Sequence, residues 1–389
     1  MKKRFLLWLI MFFTLSSDVL FPCTVFYAAK DGVILAGNNE DFLNAEAYMQ
    51  FFPSKEGKFG RILFGFFYEF GKMSPFGGVN DQGLFYDIAS LDNVNLEEVP
   101  KGEIYKEDLL QKIMEECSTV EEVISLIKKY SNFLYITNAQ LMFGDRFGNS
   151  VIIERDKILK KESTYQIMTN FRQSTDDFKN GIISCGRYEI ANRLFKESPE
   201  ISKDLFRNIL ESVHQEGLYA TVYSNIYDLK KGIIYLYYFH NFFEEVQLNI
   251  SEELLKGERT VKINSLFKNN FAAKAYIDWK NWELENRKNT KLAKSFDPKI
   301  IDNYAGKYRV TFYPTKDSLQ VVNENGKMVI VFTEALKIEV MPESNEKFFL
   351  ATLNGDYEFT FSKDVAENKI YLKIKPTEFG NETVWEKTF

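Results

Sequence analysis

Cys23 is the residue around which chemistry can be built. It follows a stretch that reads as a secretion leader, and it opens the run from Cys23 to Phe42. Removal of the 22 residues before it would place a thiol and a free α-amine on one N-terminal residue. The reference pKa values are roughly 7.7–8.0 for such an amine and about 8.5 for the thiol, so near neutral pH one can take the other's proton. That pair is a nucleophile with its own base. The chain has little else to offer as a base, because His214 and His240 are its two histidines. Cys23, Cys117 and Cys185 are far apart, and neither a zinc-ligand spacing nor a Ser-His-Asp set can be assembled from the sequence. We therefore expect no metal and no cofactor.

The leader follows from three features. Lys2, Lys3 and Arg4 form a positive start, Phe5 to Leu15 is apolar, and Thr14, Ser16 and Ser17 supply small residues near a cleavage point. The apolar run falls short of the ~20 residues of a membrane-spanning helix. The expectation is an exported protein, periplasmic or secreted, with no membrane span. Phe21 and Pro22 are poor leader-end residues and also spoil a lipoprotein signal, so signal peptidase should cut near Ser17 and Cys23 should then remove Asp18–Pro22 itself. Loss of the leader takes away three basic residues and one acidic residue, moving the formal charge from −6 to −8. That balance argues against a nucleic-acid or anionic-membrane partner. Cys117 and Cys185 either pair in the oxidising compartment or serve as small buried apolar residues.

Elements that must position Cys23 can be read next. Thr24–Ala28 and Val33–Ala36 flank Lys30-Asp31-Gly32, a hairpin signal. Ile62 to Phe70 is dense in aromatics, and Gly77 to Leu84 makes a turn between strands. The period becomes helical from Lys106 to Tyr130, with capping boxes at Ser118/Glu121 and Thr119/Glu122 starting a second helix. Strand patterns return at Leu134–Phe143 and Val151–Glu154, helices at Arg187–Lys196 and Ser202–Gln215, and two strands around Lys230-Lys231-Gly232 within 219–250. Two sheets covered by helices fit this order. The boundaries read as 1–22 leader, 23–251 catalytic domain, 252–296 charged and partly helical connection, and 297–389 a small β-sandwich or barrel with short alternating strands.

Several motifs now fall into one order. Cys23-Thr24, Gly37-Asn38-Asn39-Glu40-Asp41, Gly78-Val79-Asn80-Asp81-Gln82-Gly83-Leu84, Asp145-Arg146-Phe147-Gly148 with Ile153-Glu154, Thr169-Asn170, Arg187-Tyr188 and Thr221-Val222-Tyr223-Ser224 span roughly 23–250. In that order they resemble the N-terminal-nucleophile (Ntn) hydrolases of the choloylglycine hydrolase superfamily, which includes bile-salt hydrolases and penicillin V acylases. The resemblance implies an α+β fold, a four-layer αββα sandwich, here with a small C-terminal all-β domain. It also implies a hydrolase acting on linear amide C–N bonds. By the same resemblance Cys23 is the nucleophile, Asp41 the carboxylate beside its amine, and Asn170 (side chain) and Asn80 (backbone N–H) the oxyanion donors. Arg187 is the fixed positive charge near the nucleophile. The family also contains tetramers, so an oligomer is possible. Ile301 to Tyr308 resembles the opening of small β-domains appended to serine hydrolases and carries no chemistry.

One departure bears on substrate. Bile-salt hydrolases and penicillin V acylases resemble each other in an arginine after the glycine equivalent to Gly37, where this chain has Asn38. Asparagine cannot replace a guanidinium fork, so the departure leaves the nucleophile logic intact but puts bile-salt or penicillin V specificity in doubt. Asn38, with Phe64 and Phe67 from the aromatic run (Phe59, Phe64, Phe66, Phe67, Tyr68, Phe70, Phe76), is assigned to substrate binding. The substrate expected is a small N-acyl amide with an apolar acyl group. Two other readings stay open: an acyltransferase of the same superfamily, and a non-catalytic exported binding protein.

Overall fold

The computed structural model describes residues 23–67, 73–92, 102–136, 138–183, 185–268, 270–311, 318–333, 336–353, 355–364, 366–377 and 382–388. The leader, Tyr68 and Phe70 lie outside the described residues. β1 (Thr24–Lys30) and β2 (Val33–Phe42) form the expected hairpin. Asp31 and Gly32 both have positive φ, 51° and 81°, as a tight two-residue hairpin turn demands. The register runs from Lys30 opposite Val33 to Thr24 opposite Asn39, so Cys23 comes next to Glu40.

Six strands make the sheet that carries Cys23. Their order is β10-β1-β2-β11-β12-β13, with β10 at Tyr165–Met168, β11 at Ala220–Asp228, β12 at Ile233–Tyr238 and β13 at Asn241–Asn249. Residues 219–250 thus hold three strands where the sequence reading had two. The extra reversal is at Phe239-His240, which lacks the glycine or asparagine that announces a turn.

The second sheet has eight strands, ordered β14-β3-β4-β5-β6-β7-β8-β9. These are β3 (Ala47–Phe52), β4 (Arg61–Phe67), β5 (Met73–Asn80), β6 (Phe85–Ser90), β7 (Ala139–Gly144), β8 (Ser150–Glu154), β9 (Lys157–Lys160) and β14 (Arg259–Lys262). β14 lies within 252–296, the segment read as a connection, yet it pairs with β3 and so extends the two-sheet unit past residue 251. An edge strand rich in basic residues gives no apolar alternation to read.

Strand alternation sorts side chains to opposite faces. Val25, Ala36 and Phe42 of the first sheet join Phe51, Phe64, Phe85 and Met142 of the second in one core. On the other face of the first sheet, Phe26, Leu35 and Ile226 pack on α4 (Gly186–Glu197) and α5 (Lys203–Ser212) through Phe195, Phe206 and Ile209. Tyr86, Leu141, Phe143 and Ile153 of the second sheet pack on α1 (Leu109–Glu116) and α2 (Val120–Lys129). The α2 capping box forms at Thr119 and Glu122, and Glu122 also accepts from Ser118. Among the described residues, no helix is long and apolar enough to cross a membrane.

The C-terminal strands close into a barrel: β15 (Gly306–Val310), β16 (Ser318–Glu324), β17 (Lys327–Thr333), β18 (Leu336–Pro342), β19 (Lys347–Thr352), β20 (Gly355–Asp364), β21 (Lys369–Pro376) and β22 (Thr383–Thr388). The helix at Phe271–Lys291 fastens this barrel through one carboxylate. Asp356, 3% exposed, accepts from Arg287 Nη1 at 2.6 Å and from Lys291 Nζ at 2.9 Å. Arg287 also donates to Thr352 O at 2.9 Å. Removing one partner of a buried ion set strands the others, so Asp356→Ala should destabilise the barrel by roughly 2–4 kcal/mol. Scanning calorimetry should show the barrel melting earlier; an unchanged thermogram would mean that the ion set holds nothing.

Candidate active site

Cys23 sits between two strands that converge on it. Since Val25 pairs with Met168 on β10, continuation of the register brings Asn170 opposite Cys23 on one side, while Glu40 is opposite on the other. Cys23 is 2% exposed, and its Sγ–H donates to Glu40 Oε1 at 3.5 Å. Asn38, two residues before Glu40 and on the same face, is fully buried with no hydrogen-bond partner for either amide atom among the described residues.

This inter-sheet space is acidic. Burial pushes the Cys23 thiol well above its usual range, and the Glu40 and Asp41 carboxylates push it further, while the Asp41 backbone N–H eases it. Burial also raises Glu40, aided by the Asp87 and Asp41 charges, and raises Asp87 of β6. Two buried carboxyls this close do not both ionise. The thiol therefore stays protonated near neutral pH unless a base reaches it, which is the part an α-amine on Cys23 would play.

The acid pair makes a stability prediction. A carboxyl whose folded pKa is raised contributes fully below its unfolded pKa of about 4, and that contribution is lost as pH rises toward the folded value. Asp87→Asn removes the penalty. The variant should match the parent at or below about pH 4 and melt about 3–8 °C higher near pH 8. Melting curves across this window test it, and a gap that does not widen with pH would show that Asp87 is already ionised.

On the helix side of β1 the polar groups are well partnered. Arg187, in the first turn of α4, donates from Nη1 to Cys23 O at 2.7 Å and Thr24 Oγ1 at 2.8 Å, and from Nη2 to Asn170 Oδ1 at 2.9 Å. Asn170 in turn donates to Ser90 O at 2.9 Å. Asp41 accepts from Thr221 Oγ1 through one oxygen, while Oδ2 is buried without a hydrogen-bond partner among the described residues. Burial raises Asp41 well above the carboxylate range and the Arg187 charge pulls it back. An ammonium beside Oδ2 would complete this arrangement.

The structure gathers Cys23, Asp41, Asn170 and Arg187 but uses two other expected residues differently. The Asn80 N–H donates to Leu84 O at 2.9 Å. Its side chain donates to Met114 O and Cys117 O, at 3.1 and 2.8 Å, and accepts from Leu84 N. Asn80 is thus a turn residue that anchors the end of α1, and its N–H is not an oxyanion donor here. Phe64 is fully buried in the inter-sheet core, 5.8 Å from the Tyr223 ring and 6.1 Å from that of Tyr227. It packs against these rings as part of the inter-sheet core. Phe67 is half-buried against Tyr48. Cys117 and Cys185 are free thiols. Glu40, Thr24 and Thr221 were missed although each lies inside a motif; for Asp87 the signal was an acid within the apolar run Leu84–Ala89.

Comparison with known proteins gives the following. No protein-family model matches the chain. Penicillin-binding protein 4* of Bacillus subtilis (strain 168) is 28% identical over 99 residues, 25% of this chain and 21% of that protein. The match thus spans about a fifth of that relative's length. Two solved variants of the conjugated bile acid hydrolase from Clostridium perfringens are similar in structure, at 16% and 17% identity and TM-scores of 0.46 and 0.48. Each match covers 64% of this chain and 97% of the other. Penicillin V acylase from Agrobacterium tumefaciens matches at 13% identity and a TM-score of 0.35, over 56% of this chain and 82% of that one.

Proposed function

We propose that this chain is an exported N-terminal-nucleophile cysteine amidase with an αββα catalytic unit. It cleaves the linear C–N amide bond of an apolar N-acyl substrate. One observation carries the reading: Arg187 clamps the Cys23 carbonyl, Thr24 and Asn170 together, with the Asp41 carboxylate close enough for its charge to act on both Arg187 and the thiol. A guanidinium spent on the backbone of one cysteine suits a cysteine that must be held at a chain end. The three cores, one between sheets and two under helices, support the layer order.

The steps follow from the groups present. Cleavage before Cys23 frees the α-amine, and Asp41 Oδ2 holds its ammonium form. The neutral amine takes the thiol proton and Sγ bonds to the acyl carbon, giving a tetrahedral oxyanion. The donors assigned to that oxyanion are the Asn170 amide, oriented by Arg187, and the Asp41 N–H, which hydrogen-bonds the sulfur. The α-ammonium protonates the leaving nitrogen, the C–N bond breaks, and a thioester remains for water to hydrolyse.

Intact mass of the exported protein tests this. A chain beginning at Cys23 that takes up one electrophilic label, blocked by an acyl-amide substrate, is expected; an active chain retaining Asp18–Pro22 would end the proposal. Adding amine acceptors to the same reaction separates hydrolysis from acyl transfer.

A further inference from the structure

The two histidines of this chain, 26 positions apart in sequence, stack on each other. His214 stands two residues past the end of α5, and His240 is the second residue of the β12–β13 turn. Their ring centroids are 5.1 Å apart with planes at 25°. Glu216 joins them: its Oε1 is 3.4 Å from His214 Nε2, and one ligand atom from each of the three residues lies within 4.8 Å of the other two.

Proton positions suit ligation. His214 Nδ1 is 2.5 Å from Glu211 O. A carbonyl only accepts, so Nδ1 carries the hydrogen, and Nε2 is the ring atom that faces Glu216 and would bind an ion in place of any proton it holds. A backbone carbonyl holding the far nitrogen is how metal-binding histidines are usually oriented. His240 Nε2 is buried with no hydrogen-bond partner among the described residues. Phe239 and His240 both have positive φ, 50° and 53°, in a turn closed by the Tyr238–Asn241 pair. Such a turn favours Asn-Gly, and bulky residues there are strained by roughly 1–3 kcal/mol each. Packing against Tyr276 accounts for Phe239. A ligand role accounts for His240.

The geometry points to a binding site for one divalent transition-metal ion of the zinc class, held by His214 Nε2, Glu216 and the Nε2 of His240. Tetrahedral zinc with bonds of about 2.0–2.1 Å puts neighbouring ligand atoms about 3.3–3.4 Å apart. The His214–Glu216 pair already has that spacing, and His240, whose ring now stacks on that of His214, would turn its edge toward the ion. The Glu216 side chain is 77% exposed, so a fourth position opens to solvent. The ion would act on the proposed active site through Gln215, which lies between two ligands. Gln215 N donates to Thr221 Oγ1 at 2.8 Å, Thr221 N returns a bond to Gln215 O at 2.9 Å, and Thr221 Oγ1 donates to Asp41. Metal binding would pin the loop that keeps Thr221 on Asp41.

The test uses the full chain from residue 23 onward, produced without the leader and with Cys23→Ala, which removes one competing thiol. Zinc ion alone is the probe, followed by metal analysis after dialysis and by melting temperature. The expected result is one zinc per chain and a rise of roughly 5–10 °C at a hundredfold excess over Kd. His240→Ala should abolish both effects. Glu216→Ala, on an exposed side chain that the fold does not need, should weaken binding at least tenfold. Absence of retained zinc, or retention unchanged in both variants, would overturn the site whether or not the amidase reading holds.

Discussion

Cys23→Ala should yield a folded protein whose acyl-amide hydrolysis is lower by about four orders of magnitude or more. The reason is geometric. Cys117 is buried against α1 and α2, and Cys185 stands at the N-cap of α4, so neither is placed to replace the sulfur beside Asn170 and Asp41. Stability should change little, because the substitution removes one buried sulfur whose contact is with the Glu40 carboxyl, which burial holds above the usual carboxylate range. Produced to begin at residue 23, the alanine variant carries an α-amine there, so any residual rate measures the base and oxyanion donors without a nucleophile. If the variant is processed elsewhere and arrives with Asp18–Pro22 attached, that result supports removal of this segment by Cys23. Turnover near the parental rate by a correctly processed variant would remove the amidase proposal.

What was legible in the sequence depended on whether a residue's role is set within its own motif. Cys23, Asp41, Asn170 and Arg187 were readable because β1, β2, β10 and the start of α4 each carry one of them at an element end, and antiparallel pairing then brings the ends together. Asn80 sat in the right motif, yet its N–H is committed by the turn geometry of Asn80 and Leu84, which composition does not report. The Glu40–Asp87 pair is created when one sheet stacks on the other, a contact with no sequence spacing. The histidines behave alike: a helix end and a hairpin turn meet only after β11 and β12 pair. Phe64 had the composition of a pocket residue, and only its packing against Tyr223 and Tyr227 shows it as core.

Arg187 carries the second large effect. Its guanidinium serves three acceptors on two segments, and a lysine ammonium cannot span Cys23 O, Thr24 Oγ1 and Asn170 Oδ1 at once. Arg187→Lys should lower kcat/KM by roughly 10²–10³, about 3–4 kcal/mol, comparable to the loss of one oxyanion donor, because Asn170 loses the partner that orients its amide. Arg187→Met should lose more, and with a distinct pH signature. The Arg187 charge pulls the Asp41 pKa down against burial, so its removal lets that pKa rise further. Asp41 must be ionised to hold the α-ammonium; fewer molecules meet that condition at a given pH, and the acid limb of the rate profile moves to higher pH. Arg187→Lys keeps a positive charge and should move the limb less than Arg187→Met. Rate profiles of the three proteins separate the two roles: equal limbs with unequal plateaus would confine Arg187 to positioning, and a shifted limb in the methionine variant would show that its charge tunes Asp41.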